Sequence, residues 1–103
     1  MLVSFGSAAW FFSNEGEVRI SNEAAERVVK GEVEICDQQF KFEGIKPGES
    51  KLIRYKVKSD SHYKITVEFE SGKKLVKEVG YVTNGMDFKD ALIIKDSDIT
   101  LMR

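Results

Sequence analysis

Apolar and polar residues alternate strictly along two stretches in the middle of the chain. Every second residue is apolar from Tyr63 to Phe69, and again from Ile53 to Val57. A repeat of two places successive side chains on opposite faces of a strand, so each stretch predicts a strand with one buried face and one exposed face. Half-exposed strands of this kind are typical of antiparallel sheets.

Turn signals separate these stretches from others like them. Residues 46–49, Lys-Pro-Gly-Glu, have the type II pattern of proline followed by glycine, and Asn84-Gly85 marks another turn. The predicted strands cover residues 17–21, 28–36, 39–44, 51–57, 62–70, 73–82 and 91–95, with an eighth candidate at 99–102. About seven short strands predict an all-β fold, an immunoglobulin-like antiparallel β-sandwich.

The register of the first hairpin can be predicted because a slip of one residue moves every side chain to the opposite face. If residues 37–38 form a two-residue turn, Ile35 lies opposite Phe40 and Val33 lies opposite Phe42. Both apolar pairs then point inward.

A three-residue loop over residues 70–72 is predicted for the second hairpin, with Gly72 in the left-handed conformation. This loop places Val67 opposite Leu75, whereas a two-residue turn would place apolar residues opposite charged ones.

Residues 22–31 fit two structures. Asn22 could cap a short helix that ends before Gly31, or the segment could be a loop that leads into a strand. The strand is preferred because so short a helix is marginal without tertiary contacts, and because Val29 shares the parity of Val33 and Ile35.

Residues 1–13 are apolar or small, and they end in the aromatic run 10–12 before the first charged residue, Glu15. This order is typical of a helix that leaves a bilayer. Thirteen helical residues cover about 20 Å, less than the ~30 Å of bilayer hydrocarbon. We therefore expect residues 1–13 to be the outer half of a membrane anchor, followed by one domain over residues 14–103.

Two other interpretations of residues 1–13 stay open. Ser7-Ala8-Ala9 could be the cleavage site of a signal peptide, although no basic residue precedes it. Alternatively, Val3 and Phe5 could belong to a first strand or an arm packed on the domain.

Composition excludes several classes of protein. The chain has 103 residues, with 16 basic and 17 acidic residues interleaved, so no basic stripe points to nucleic acid. A single cysteine cannot form an internal disulfide, so burial of apolar surface must stabilise the domain.

The search for catalytic or metal-binding residues predicts no site and no cofactor. His62, the only histidine, falls on the polar face of its strand, and Cys36 falls on an outer face or at a strand end. Its acidic neighbours Glu34 and Asp37 disfavour a reactive thiolate. The strand carboxylates are expected to face outward; these are Glu32, Glu34, Glu43, Glu68 and Glu70.

Asp96 and Asp98 could supply oxygen ligands to Ca²⁺ together with Asp90 or Asp87. The ligand spacing of an EF-hand is absent, and aspartates at turns usually bond the local backbone, so a turn is preferred.

The three tyrosines, Tyr55, Tyr63 and Tyr81, share the inward parity of their strands. We therefore expect core tyrosines rather than a platform for carbohydrate, with Tyr81, after Gly80, as a candidate tyrosine corner.

A series of short motifs carries a resemblance: residues 18–22, Val-Arg-Ile-Ser-Asn; a strand that ends near Cys36; residues 45–50, Ile-Lys-Pro-Gly-Glu-Ser; the strand 63–69 followed by residues 71–73, Ser-Gly-Lys; and residues 80–83, Gly-Tyr-Val-Thr. Over residues 17–95 the chain resembles small bacterial envelope proteins in which an N-terminal anchor or signal precedes an immunoglobulin-like or fibronectin type III-like sandwich. The resemblance implies a domain outside the membrane and transfers no catalytic residues.

These observations predict a non-catalytic structural or protein-interaction module, displayed on the periplasmic or extracellular side of a bacterial membrane. Its partner would be a protein or the cell wall, contacted through the loops at residues 46–50, 83–90 and 96–98. A soluble inhibitor or immunity-type protein is the alternative, and an enzyme with an unrecognised site is a third.

Overall fold

The computed structural model describes residues 14–103, so the expectations for residues 1–13 lie outside it. The described residues form eight strands and no helix. The strands are β1 (Glu15–Asn22), β2 (Val28–Ile35), β3 (Gln38–Ile45), β4 (Ser50–Lys56), β5 (Ser61–Phe69), β6 (Lys74–Val82), β7 (Phe88–Ile94) and β8 (Ile99–Met102). The predicted all-β fold is confirmed, and the eighth candidate strand is present.

The eight strands form two four-stranded sheets that pack as a β-sandwich, ordered β4-β1-β7-β8 in the first sheet and β3-β2-β5-β6 in the second. All neighbouring pairs are antiparallel except β1 and β7, which run parallel. The parallel partner β7 ends in the run 92–94, Leu-Ile-Ile, and all three residues are buried. Leu92 and Ile94 belong to the core between the sheets, and Ile93, on the opposite face of the strand, is 7% exposed.

The core lies between the two sheets. Its largest fully buried side chains include Tyr63, Phe69 and Ile20. Along β5 the inward residues 63, 65, 67 and 69 are buried and those between them are exposed or half-buried, as the alternation predicted. Burial of these apolar side chains is the main source of stability for a domain without disulfides.

The predicted register of the first hairpin is wrong by two residues. The turn consists of Cys36 and Asp37, which both have positive φ, and Val33 pairs with Phe40. A shift of two preserves the face of every side chain, so the inward assignment holds. Glycine explains the choice: Phe42 pairs with Gly31, where a Cβ atom would lie 2.5 Å from the phenylalanine ring.

The other predicted turns are confirmed. Val67 pairs with Leu75 around the loop 70–72, in which Gly72 has φ of 92°. In the turn 46–49 the Glu49 amide donates to the carbonyl oxygen of Lys46, and Asn84-Gly85 lie at the centre of a turn closed at Thr83 and Met86.

Two β-bulges change the parity on which the predictions relied. The first bulge lies between Val28 and Lys30, so Val28 rather than Val29 is buried in the core, and residues 23–27 form a loop rather than a helix. The second lies where β6 passes Gly80, which has φ of 74°. Beyond it Val82 points inward and Tyr81 is 55% exposed, so the predictions of inward parity and of a tyrosine corner for Tyr81 are wrong.

Strand directions sort the connections into two ends of the sandwich. The loop end contains the connections 23–27, 46–49, 70–73 and 95–98. The Asn14 end contains the start of β1, the connections 36–37, 57–60 and 83–87, and Arg103. Of the three loops expected to contact a partner, 46–50 and 96–98 therefore lie together at the loop end, and 83–90 begins at the Asn14 end.

Candidate functional site

Asn22, the last residue of β1, is fully buried at the centre of the loop end. Its side-chain amide donates to the carbonyl oxygens of Glu26 and Ile45, each at 2.9 Å, and its side-chain oxygen accepts from the Ala24 amide at 2.9 Å. One neutral side chain thus satisfies two backbone groups in loop 23–27 and one at the end of β3. A buried polar group costs little when its hydrogen bonds are made, so Asn22 can lie inside the core boundary.

The backbone of Asn22 joins the same loops. Its amide donates to the carbonyl oxygen of Glu49 at 3.0 Å, and its carbonyl oxygen accepts from the Gly48 amide at 2.7 Å. The next residue, Glu23, donates its amide to the carbonyl oxygen of Ile94 at 2.8 Å. The turn 46–49 is therefore bound to the end of β1 on both sides.

Further hydrogen bonds connect loop 23–27 to the other two loops of the loop end, 70–73 and 95–98. The Ala25 amide donates to Asp96 Oδ1 at 2.8 Å, and the Ser71 amide donates to Glu26 Oε1 at 3.0 Å. Lys73 Nζ also donates to the carbonyl oxygen of Asp96. The four loops of the loop end are thus cross-linked into one surface, which lowers the entropy lost when a partner binds to it.

The rim of this surface carries exposed charges of both signs. Lys77 Nζ lies 3.0 Å from Asp98 Oδ1, and Arg27 lies 3.9 Å from Glu70. The hydrogen bond from Lys77, with a second from the Ile99 amide, lowers the pKa of Asp98 below its usual value. The loop end therefore offers donors, acceptors and both charges to a polar partner, over a scaffold of fixed shape.

The aspartates considered as calcium ligands lie in different parts of the domain and make separate contacts. Asp96 and Asp98 serve the loop end, whereas Asp87 Oδ1 accepts from the Glu15 amide at 2.8 Å at the other end. Asp90 is buried beside Tyr63. Within residues 14–103 no group of three or more His, Cys, Asp or Glu side chains is placed to hold a metal ion.

His62 is exposed on the outer face of β5, as predicted, with Nε2 2.7 Å from Glu78 Oε1. Cys36 is at a strand end, as expected, but it is 2% exposed, so the alternative of an outer face is wrong. Its thiol donates to the carbonyl oxygen of Ser59 at 3.3 Å, and its amide donates to Ser61 Oγ at 3.0 Å. These bonds hold Cys36 in the left-handed turn.

The outer face of the second sheet carries four of the five carboxylates expected to face outward from strands, and the fifth, Glu70, is instead exposed in the loop after β5. Glu68 lies 3.9 Å from Lys30 and 4.0 Å from Lys74. A groove of about 430 Å³ crosses this face; its lining residues are Lys30, Gly31, Glu32, Lys41, Phe42, Glu43, Thr66, Val67, Glu68 and Lys74. The lysines and glutamates alternate across the strands, an arrangement that keeps a sheet face soluble and provides no concentrated charge for a ligand.

A second buried polar cluster joins the two sheets near the Asn14 end. Tyr63 on β5 donates its hydroxyl to Asp90 Oδ2 at 2.7 Å, and its hydroxyl oxygen lies 2.6 Å from that of Tyr55 on β4. Asp90 Oδ1 accepts from Arg103 Nε at 2.9 Å. Burial raises the pKa of Tyr63 and of Tyr55 above the ordinary tyrosine value, so both hydroxyls are protonated at neutral pH.

Sequence reasoning predicted inward tyrosines at 55 and 63 but missed Asp90. The seventh strand was predicted to start at residue 91, whereas β7 starts at Phe88. Asp90 has the same parity as Phe88 and Leu92, so extending the alternation by three residues would have placed a carboxylate in the core. Gly16 is a second signal, because a glycine inside a strand often marks the close approach of another group. Here that group is the ring of Tyr55, which would lie 2.2 Å from a Cβ atom at position 16.

Comparison with solved structures finds the same fold. The chain is similar to a protein from Eubacterium rectale determined by NMR, with a TM-score of 0.63 and 13% identity over 86% of this chain and 87% of that chain. No protein-family model matches the chain, and no curated protein matches its sequence. At 13% identity this similarity shows the fold alone. Within residues 14–103 there is no helix of sufficient length and apolar character to cross a bilayer.

Proposed function

We propose that this protein is a non-catalytic interaction module displayed outside a bacterial membrane, attached through residues 1–13 and binding a protein or cell-wall partner with its loop end. One observation supports this proposal most: the loops cross-linked around Asn22 lie at the end of the sandwich opposite the start of β1. An attachment at one end would leave the other end free to project from the surface. The relationship to immunoglobulin-like domains stays a prediction, which the two packed sheets support.

Fixed loops on a rigid sandwich are a common basis for recognition, because the scaffold tolerates changes in the loops that it holds. At the loop end, hydrogen bonds join the described loops to each other. A partner would therefore bind a surface that is already ordered. Loop 83–90 begins at the opposite end of the sandwich, so it is too distant to contact a partner that is bound to the loop end. We therefore propose the loop end alone as the partner-binding surface.

Site-specific photo-crosslinking in the native cells tests the proposal. A photoreactive amino acid at Pro47 or Ser97, both exposed in loop-end turns, should give a discrete adduct with a partner. The matched control is Lys64, which is exposed in the middle of a sheet face. Adducts that form equally at Lys64 would show that the loop end is not the binding surface.

Alanine substitutions separate this module from the alternatives. The adduct should be lost when Lys46 and Glu49 are changed together to alanine, and it should persist in His62→Ala, since His62 lies on a strand face away from the loop end. Loss of biological activity in His62→Ala with an unchanged melting temperature would instead indicate a catalytic or metal site.

A further inference from the structure

The outer strand β4 has backbone groups that no other described strand uses, because β1 is its only neighbour in the first sheet. At one end of this antiparallel pair the Asn22 amide donates to the carbonyl oxygen of Glu49, and at the other end the Val57 amide donates to that of Asn14. In an antiparallel pair alternate residues bond to the partner strand. The residues whose N–H and C=O groups point away from β1 are therefore Ser50, Leu52, Arg54 and Lys56.

One side chain already bonds to this open side of β4. Gln38, the first residue of β3, donates from Nε2 to the carbonyl oxygen of Lys56 at 2.7 Å, and its Oε1 accepts from the Lys56 amide at 3.2 Å. A side-chain amide has the donor and the acceptor of a peptide group, so Gln38 takes the place of an added strand at this position. Within residues 14–103 no group bonds in this way to the backbone of Leu52 or Arg54.

The open side of β4 adjoins a cleft between the two sheets. β3 and β4 are outer strands of their sheets and lie next to each other. Ile53 on β4 and Phe40 on β3 pack against the core but are only partly buried. Toward the loop end a groove of about 430 Å³ lies between the end of β3 and the start of β4, and its lining residues are Gly44, Ile45, Glu49, Ser50 and Lys51. Apolar side chains that enter from this side would therefore cover Ile53 and Phe40.

The charge along this strand is of one sign. Residues 50–58 contain four basic residues and no acidic residue; the basic residues are Lys51, Arg54, Lys56 and Lys58. Arg54 and Lys56 pair with glutamates on β1, whereas Lys51 and Lys58 have no ion pair in the part of the chain that the structure describes. Lysines on an outer strand oppose pairing with a second copy, because two such strands would bring only positive charges together. An acidic strand meets no such repulsion.

From these observations we infer that the β4 edge, residues 50–54, binds an extended acidic segment of a partner protein as a fifth strand of the first sheet. Backbone hydrogen bonds to Ser50, Leu52 and Arg54 would provide the affinity of such strand addition. Successive side chains of the segment point to opposite faces, so apolar residues would cover Ile53 and Phe40 while acidic residues lie beside Arg54. This surface is additional to the one proposed at the loop end.

Amide hydrogen exchange of the full chain, followed by NMR, tests whether the β4 edge is open. In the free protein the Leu52 and Arg54 amides should exchange faster than the Ile53 amide, which bonds to β1. Protection of Leu52 and Arg54 in the monomer would show that another part of the chain covers the edge. Protection that increases with protein concentration would show that a second copy covers it, and either result would overturn the inference.

The binding probe is the synthetic peptide Glu-Val-Glu-Val-Glu-Val-Glu with both ends blocked, and the control peptide has lysine in place of each glutamate. At saturation the acidic peptide should slow exchange of the Leu52 and Arg54 amides about tenfold, because both amides then donate to the added strand. Added salt should weaken this binding, and the basic peptide should leave both rates unchanged. Equal effects of the two peptides, or chemical-shift changes confined to the loop end or to β6, would overturn the inference.

A proline substitution tests the backbone contact. Leu52→Pro removes an N–H group on the open side and leaves the bonds between β1 and β4 in place, so affinity for the acidic peptide should fall about tenfold. Val76→Pro is the matched control, because Val76 lies in the middle of β6, an outer strand of the other sheet. The Phe69 amide donates to the carbonyl oxygen of Lys73, and this phase places the Val76 N–H group on the open side of β6. Equal losses in the two variants would contradict binding at the β4 edge.

A charge substitution gives a second measurement that does not depend on how Leu52→Pro folds. Lys51→Gln keeps every backbone group and should weaken binding of the acidic peptide about threefold, whereas Lys64→Gln, on a face of the second sheet, should not. Unchanged affinity in Lys51→Gln would overturn the acidic partner. Crosslinking at Pro47 and Ser97 does not involve the β4 edge, so the loop-end proposal and this inference can fail separately.

Discussion

Each end of the sandwich contains one buried polar side chain, Asn22 at the loop end and Asp90 near the Asn14 end, and within residues 14–103 these are the two buried polar residues. Asn22 is neutral and bonds backbone atoms of the loops around it. Asp90 bonds side chains, Tyr63 from the opposite sheet and Arg103 from the residue after β8. The amide therefore organises loops, whereas the carboxylate joins sheets.

The difference follows from the chemistry of the two groups. An amide can donate and accept at once, so Asn22 can satisfy carbonyl oxygens and an amide in the same small space. A carboxylate only accepts, so it needs donors brought to it by other strands, here a tyrosine hydroxyl and a guanidinium. Asn22 thus fixes the loops around it through their backbone atoms, while Asp90 depends on side chains that other parts of the chain bring to it.

Asn22→Asp should destabilise the domain more than Asp90→Asn or Tyr63→Phe. The new carboxylate oxygen would face the carbonyl oxygens of Glu26 and Ile45 without a proton to share, so the free energy of unfolding should fall by about 3 kcal/mol at neutral pH. Urea denaturation measures the loss. Asn84→Asp, in an exposed turn, is the matched control and should change stability little. Equal losses in the two variants would mean that Asn22 does not organise the loop end.

Asp90→Asn tests the other buried group with a side chain of the same size. An amide has a single acceptor oxygen, so either Tyr63 or Arg103 loses its partner, and we expect a loss of about 2 kcal/mol. Asp37→Asn is the control, since Asp37 is exposed and asparagine tolerates its positive φ. A variant as stable as the wild type would show that the carboxylate does not couple the sheets.

Tyr63→Phe should cost about 1 kcal/mol at neutral pH and should also change the response to alkali. Because burial raises the pKa of Tyr63, its stabilising contribution is complete below about pH 10, the ordinary tyrosine value, and is lost as the pH rises further. Stability should therefore fall less steeply above pH 10 in Tyr63→Phe than in the wild type, as followed by circular dichroism. Identical slopes would contradict a buried, protonated Tyr63.

The smallest effect is expected at the exposed pair of Lys77 and Asp98 at the loop end. The hydrogen bond from Lys77 lowers the pKa of Asp98, so the stabilisation is present above the ordinary aspartate value and is lost as the pH falls through the lowered one. Lys77→Met should raise the pKa of Asp98 toward its ordinary value in an NMR titration. Lys74→Met is the control, because Lys74 lies near Glu68 instead. An unchanged pKa would show that the pair is not formed in solution.

Local sequence signals predicted most of the fold because the information they carry is local. The alternation along β5 and the Pro-Gly and Asn-Gly turns depend on residues a few positions apart, and the structure has them as predicted. The side chains predicted to point inward from β2 and β3 do so even though the predicted register of this hairpin was wrong, because a shift of two residues leaves parity unchanged.

The sequence by itself determined an all-β chain, the positions of its strands and the inward faces of most of them. Tertiary structure decided the features that the alternation of residues along a strand does not predict. The bulge at Gly80 turned Tyr81 outward, and Gly31 selected the hairpin register by accepting the ring of Phe42. Likewise, only the folded chain brings Asp90 to Tyr63 or Asn22 to the carbonyl oxygen of Ile45, since these pairs are separated by 27 and 23 residues. Contacts at such separations depend on how the two sheets pack, and periodicity within a single strand carries no information about that packing.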